Sequence, residues 1–273
     1  MGLLCRYSRK AMLALIVCLA CSGGAKGEDA KPSPEAIRQF LLTAKVVRSK
    51  QSSTGITNPW RLTLSDGSMT HDASFQAVDE HKVRKELDNG TSEINFVDSY
   101  KYNIAAYALA KMLGIDEMLP VYVERKWMGQ TGSLSWWLPV KMDEGQRLER
   151  KLSAPDADAW NKQMYRIRVF DELVYDTDPN LTNLLIGEDW TIWRVDFSRA
   201  FRLSKDIKSE KNLTHCDSRL FEKIQALKQD ELAQKTKNYL SKSEVEALMV
   251  RRDKIVTYLR KLIAQTGENN VLY

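Results

Sequence analysis

Asp178, Asn183 and Asp196 are the residues of this 273-residue chain whose types and spacing point most directly to chemistry. Four residues lie between Asp178 and Asn183. An apolar run (184–186), a polar turn (187–189) and a second apolar run (190–195) then lead to Asp196. Strand, turn and strand bring Asn183 and Asp196 to one end of a hairpin, with Asp178 just ahead of it. An amide and a carboxylate side by side suit a small, hard cation such as Mg²⁺, which takes few protein oxygens and shares the rest with phosphates and water. A further carboxylate can orient or deprotonate an incoming hydroxyl. Phosphoryl transfer uses both devices together.

The pattern resembles the protein-kinase-like superfamily. Asp178-x-x-x-x-Asn183 stands where the Asp and Asn of the catalytic loop stand, and Asp196-Phe197-Ser198 where the Asp-Phe-Gly magnesium motif stands. The His-Arg that ordinarily precedes the catalytic Asp is replaced by Asp176-Thr177, and the Gly of the magnesium motif by Ser198. These departures resemble the atypical branch, which includes HipA-type, phosphoinositide and secretory-pathway casein kinases. The surrounding text at 103–107, 132–137 and 168–171 is similar to a subgroup of exported bacterial proteins of that kind. Asp-Pro-Asn and Gly-Glu-Asp are also ordinary turn compositions, so a rival reading makes the three residues plain surface turns of a structural lipoprotein.

The resemblance implies an α+β, two-lobed kinase-like fold: a small β-rich lobe with one main helix over 36–140, and a mostly helical lobe over 141–273. It implies that Asp178 acts on the acceptor, that Asn183 and Asp196 hold Mg²⁺ or Mn²⁺, and that ATP or another nucleotide enters the cleft. Gly55 lies where a phosphate-covering loop would lie, and Lys141 where the linker between the lobes would meet the base. Gln76 takes the place of the strand Lys that contacts phosphates, and Asn103 that of the helix Glu that pairs with it. A charged pair is thus replaced by two amides, which avoids an unpaired buried charge costing on the order of several kcal/mol. Neutralising phosphate then falls to the metal and to Lys82, Lys101 or Arg48.

These residues need elements to position them, and apolar spacing supplies most of them. Strands are expected at 45–50, 60–65 and 71–78, with Asp66-Gly67 as a hairpin turn. A short helix is expected at 36–43, and a longer one at 99–113, where Ile104, Tyr107, Ala108 and Met112 share a face and Gly114 closes it. A second hairpin covers 120–127 and 133–140. Trp160, Met164, Ile167, Phe170 and Val174 stripe a helix that delivers the chain to Asp178, and Ser243 with Glu246 reads as the capping box of a last helix through Ala264. Between Arg202 and Leu220 there is little room for a long activation segment.

The N-terminus reads as a targeting segment. Arg6, Arg9 and Lys10 precede an apolar run at 11–21 and a small, polar exit, a pattern that predicts a signal peptide over 1–21 and a flexible linker over 22–35. Cys18-Leu19-Ala20-Cys21 also resembles a lipobox, which leaves open both acylation of Cys21, giving a membrane-anchored lipoprotein, and simple cleavage at 22–25, giving a periplasmic protein. Three of the four cysteines lie in this leader, so Cys216 has no partner for an intrachain disulfide in the folded part. The leader also carries basic groups and no acidic one over 1–20, and the remainder is near neutral where the whole chain is +5. That balance leaves no electrostatic footprint for nucleic acid. The expected activity is an exported, atypical kinase-like phosphotransferase with an unidentified acceptor. Its rival is a catalytically inactive kinase-fold binding module.

Overall fold

The computed structural model describes residues 32–51, 59–86, 90–178 and 180–273. The leader and Gly55 lie outside the described residues. Helix α1 (Pro34–Thr43) starts earlier than expected, because Ser33 caps it by accepting from the Ala36 N–H at 3.2 Å and Pro34 presets the first turn. It is followed by β1 (Lys45–Gln51), β2 (Trp60–Ser65) and β3 (Thr70–Gln76), each antiparallel to the next. The Asp66 carboxylate closes the β2–β3 turn by accepting from the Ser68 and Met69 N–H groups at 2.9 and 2.8 Å.

Next come β4 (Asp79–Glu86) and β5 (Ser92–Ser99), paired only with each other. No apolar alternation announces this ribbon. Val83 is the apolar residue of β4 and is 83% exposed, so the strand lacks the alternation that a half-buried sheet imprints. Helix α2 (Tyr100–Leu113) begins directly at the end of β5, with Ser99 as its N-cap and Gly114, at φ 69°, as its C-cap. Of the expected face, Ile104 and Tyr107 are buried while Ala108 and Met112 are half-buried. Ala105, Ala106, Leu109, Ala110 and Leu113 are buried as well, and a helix covered nearly all round is a core helix.

Strands β6 (Tyr122–Trp127) and β7 (Gln130–Trp136) complete a five-stranded antiparallel sheet in the order β1-β2-β3-β7-β6. Leu62, Leu64, Ala73, Phe75 and Leu134 alternate onto its buried face and join the core formed with α1 and α2. The expected strand over 133–140 is in fact divided. It stops at Trp136, where the Trp137 N–H turns aside to Asp72 O at 3.1 Å, and resumes as β8 (Val140–Asp143) in a different sheet.

The remaining chain is mainly helical. After α3 (Glu144–Glu149), helix α4 (Ala157–Val174) buries Ile167, Phe170 and Val174 of the anticipated stripe, leaves Trp160 and Met164 half-buried, and buries Val169 and Leu173 beside it. Strands β9 (Leu184–Gly187) and β10 (Ile192–Arg194) pair with each other, and β9 also pairs with β8. Helices α5 (Ser218–Ala226), α6 (Gln229–Thr236) and α7 (Lys242–Thr266) finish the fold. The capping box of α7 is Ser241 with Glu244, two residues ahead of the expected Ser243 and Glu246. Both pairs satisfy the same spacing, and the structure caps the helix with the earlier one, whose Ser241 N–H reaches Glu244 at 2.6 Å. Among the described residues no helix is long and apolar enough to cross a membrane.

Candidate active site

Helix α4 ends at Tyr175, whose left-handed φ of 50° turns the chain sharply into Asp176, Thr177 and Asp178. Asp176 is buried, and one of its oxygens accepts the Asp178 N–H at 3.0 Å. A 3-10 turn, Leu181–Asn183, is capped by the Asn180 side chain and leads into β9. The returning strand places Val195 beside Asn183, its N–H donating to Asn183 O at 3.0 Å. Asp196 follows at φ 59°, a conformation that Asp tolerates through local hydrogen bonding, here with the Ser198 N–H donating to Asp196 Oδ1 at 3.4 Å. The hairpin thus brings the backbones of Asn183 and Asp196 together at one end.

Arg194 ties that end to the Asp178 loop. Its side chain is 2% exposed, and its guanidinium donates to the Asp176 carboxylate, to Val195 O and, at 3.4 Å, to Asp178 O. Its Nε lies 3.4 Å from Asp171 Oδ1. Burial pushes the Asp176 carboxyl up to about 6 despite the pull of Arg194, and Asp171 pushes it further. This arginine stands in sequence after the loop it organises, so a search for His-Arg ahead of the catalytic Asp could not find it.

Helix α2 holds the other flank. Asn103 is buried, and its Oδ1 accepts the Phe197 N–H at 2.7 Å while its Nδ2 donates to Gln76 Oε1 at 2.8 Å and Ser133 Oγ at 3.4 Å. Gln76 and Ser133 are cross-strand partners on β3 and β7. The two amides at the expected places therefore meet each other. Asn103→Ala should remove the acceptor of a buried N–H and cost about 1–3 kcal/mol, read as a lower urea midpoint at unchanged slope.

Asp98 was not singled out in the sequence. It ends β5 and is buried, its Oδ1 has no hydrogen-bond partner, and burial pushes its carboxyl up, with Ser198 opposing and Asp196 adding repulsion. Asp98 and Asp196 are thus two carboxylates close enough to repel each other, one with an orphaned buried oxygen, and hard oxygen donors of this kind suit Mg²⁺ or Mn²⁺. Among the described residues no group of three or more His, Cys, Asp and Glu side chains is assembled to hold a metal.

The other singled-out residues are distributed as follows. Lys141 sits at an irregularity of β8, its ammonium 2.9 Å from Glu188. Lys82 pairs with Glu80 at 2.5 Å and Lys101 with Asp79 at 2.7 Å, while Arg48 lies exposed on β1. Cys216 is buried, and burial pushes its thiol up to about 12, which suits packing and not nucleophilic attack.

No protein-family model and no curated protein sequence matches the chain. Solved structures do. A hydra Fam20 structure determined with sugar aligns at a TM-score of 0.61 and 14% identity, covering 88% of this chain and 91% of that one. The Golgi casein kinase aligns at 0.60 and 13% identity, covering 88% and 79%, and its structure with Mn/ADP bound at 0.57 and 14% over the same shares. The Helicobacter pylori proinflammatory kinase CtkA aligns at 0.53 and 10%, covering 84% and 98%. The fold is protein-kinase-like. Within that fold the N-terminal part carries the five-stranded sheet with α1 and α2, and the C-terminal part is mainly helical.

Proposed function

We propose that this protein is an exported, atypical kinase-like phosphotransferase that binds a Mg²⁺- or Mn²⁺-nucleotide between its lobes. The observation that carries the reading is the joining of the Asp178 loop, Asn183 and Asp196 at one hairpin end through Arg194 and the Val195 N–H. Asp178 would orient the acceptor hydroxyl and take its proton. Asn183 and Asp196, with Asp98, would hold the metal, which when bound neutralises charge on the transferring phosphoryl group. Asn103 fixes the Phe197 backbone and so the direction in which Asp196 enters the cleft. Catalysis on this plan is positioning and charge compensation, with no covalent intermediate required. A neighbour solved with Mn/ADP supports the choice of ligands. Calorimetric titration with Mg²⁺-ATP, Mn²⁺-ATP and other nucleotides tests it, and the absence of metal-dependent binding overturns it.

One observation favours a second reading, a kinase-fold binding module without chemistry. Gln76 and Asn103 bond to each other, so the strand position that would carry a cation to the phosphates is neutral. Nucleotide binding without any ADP formation would select this reading. Export rests on the leader. If Cys21 is acylated, metabolic labelling with a fatty acid marks the chain and Cys21→Ser abolishes the label. An unlabelled chain beginning within 22–26 would mean simple cleavage.

A further inference from the structure

The β4–β5 ribbon pairs with no other strand among the described residues, yet one of its side chains is gripped from the helical lobe. Glu93, on β5, is 22% exposed, and both of its carboxylate oxygens are engaged: one with Arg199, the other with Arg202 Nη2 at 2.6 Å. The guanidinium carbons of these arginines lie over Phe96 of the same strand, 4.9 and 5.9 Å from its ring centroid. Strand β5 therefore offers a carboxylate and an aromatic face to the two arginines that follow Asp196-Phe197-Ser198.

From the arginines the contacts run to the Asp178 loop. Arg202 Nε and Nη2 donate to Thr177 Oγ1 at 3.4 and 3.3 Å. Thr177 in turn donates to Arg199 O, from its hydroxyl at 3.0 Å and from its N–H at 3.3 Å. Thr177 is bonded to Asp178, so its backbone cannot shift without moving the next residue.

The charges make Glu93 decisive. Arg199 Nε and Arg202 Nη1 are buried without partners, and two guanidiniums share this carboxylate. Burial pulls the Arg202 pKa down, Glu93 opposes the fall and Arg199 adds to it. Lys85 lies over the same ring at 4.1 Å but is paired with Glu80 at 2.7 Å, and Asp98 faces Arg199 and Lys85 from the far end of the strand. Without the Glu93 charge, Arg199 and Arg202 would repel across a poorly solvated contact and separate.

We infer that Glu93 is a positioning residue: by holding Arg199 and Arg202 it fixes Thr177, and through Thr177 the backbone of Asp178, from the opposite lobe. The segment after Arg202 reaches the same loop at another residue, Lys208 Nζ donating to Asp176 O at 2.5 Å, so the Glu93 cluster is the contact that acts through Thr177. The significance for Asp178 rests on the phosphotransferase reading, whereas the contact chain itself does not.

Hydrogen exchange followed by mass spectrometry on the full chain separates the outcomes. Glu93→Gln should speed exchange over 177–183 about tenfold, while peptides from α4 and β7 keep wild-type protection. Glu93→Asp, which keeps the charge on a shorter arm, should fall between, and decides the matter if the Gln variant is too unstable to measure. Arg202→Lys should resemble the Gln variant, because an ammonium cannot bridge Glu93 and Thr177 as a planar fork does. Unchanged exchange over 177–183, or a uniform rise that includes α4 and β7, overturns the inference. A parallel melting curve with Mn²⁺-ATP keeps the two readings apart. Glu93→Gln should retain the wild-type nucleotide shift while ADP formation falls. A wild-type chain that shows no nucleotide shift refutes the phosphotransferase reading and leaves the exchange result to stand or fall alone.

Discussion

Asp196→Ala should abolish the rise in melting temperature expected of the wild-type chain with Mn²⁺-ATP, while the ligand-free variant remains folded. A ligand at a hundredfold excess over its Kd stabilises by about 2.7 kcal/mol, which in a domain of this size is roughly 5–10 °C. On the proposed reading the metal should account for most of that shift. With Gln76 bonded to Asn103 and Lys82 and Lys101 paired with carboxylates, the proposed reading makes the phosphates depend on a cation at Asn183 and Asp196. Nucleotide without Mg²⁺ or Mn²⁺ should therefore give no shift, and Asn183→Ala should reduce the shift seen with metal. Asp178→Ala should leave the shift nearly intact while any phosphoryl transfer disappears, because the proposed role of Asp178 is on the acceptor side. A metal-independent shift, or one that survives Asp196→Ala, would move nucleotide binding elsewhere.

Arg194→Leu should be the most destabilising single substitution in the site. It leaves the Asp176 and Asp171 carboxyls in a buried place without their cation, and breaking a buried pair from one side costs about 3–5 kcal/mol. The loss should depend on pH in a definite direction. Burial already pushes Asp176 up to about 6, and without Arg194 its carboxyl rises further. A group that binds its proton more tightly in the folded state stabilises the fold below its unfolded value near 4, and that contribution is lost as pH rises through the folded value. Urea midpoints of the variant should accordingly fall between roughly pH 4 and 7. The double change Arg194→Leu with Asp176→Leu should recover part of the loss and flatten the pH dependence, since an apolar pair of similar volume removes the stranded charge. A single variant as stable as wild type at pH 7 would show that Arg194 does not hold the loop.

Much of this architecture can be read from apolar spacing. The β9–β10 hairpin, α4 and the strands that bound the two large hairpins announce themselves through their apolar spacing, whereas α2, buried nearly all round, is marked by its apolar length and the Gly114 that closes it. The β4–β5 ribbon stays hidden for the converse reason: charged side chains cover both of its faces, so no period is imprinted on Asp79–Glu86. The α7 start is ambiguous by two residues because Ser241 and Ser243 each have a Glu three positions on, and only the folded surroundings choose between them. Asp178, Asn183 and Asp196 lie within one short stretch and form a linear motif. Asp98 is a single acid at a strand end, and what marks it out is its approach to Asp196 across the fold. Arg194 is legible only together with Asp176, and nothing local links two residues 18 positions apart.

The meeting of Gln76, Asn103, Ser133 and the Phe197 N–H is made wholly of neutral groups. None of them titrates across the range in which carboxylates, imidazoles and amines change charge, and mobile ions do not screen an amide pair as they screen two opposite charges. The spacing between α2 and the backbone at Asp196 is therefore insensitive to acidity and ionic strength. A compartment whose proton and salt concentrations follow the surroundings would loosen a lysine–glutamate link at the same place, and it leaves this one as it is.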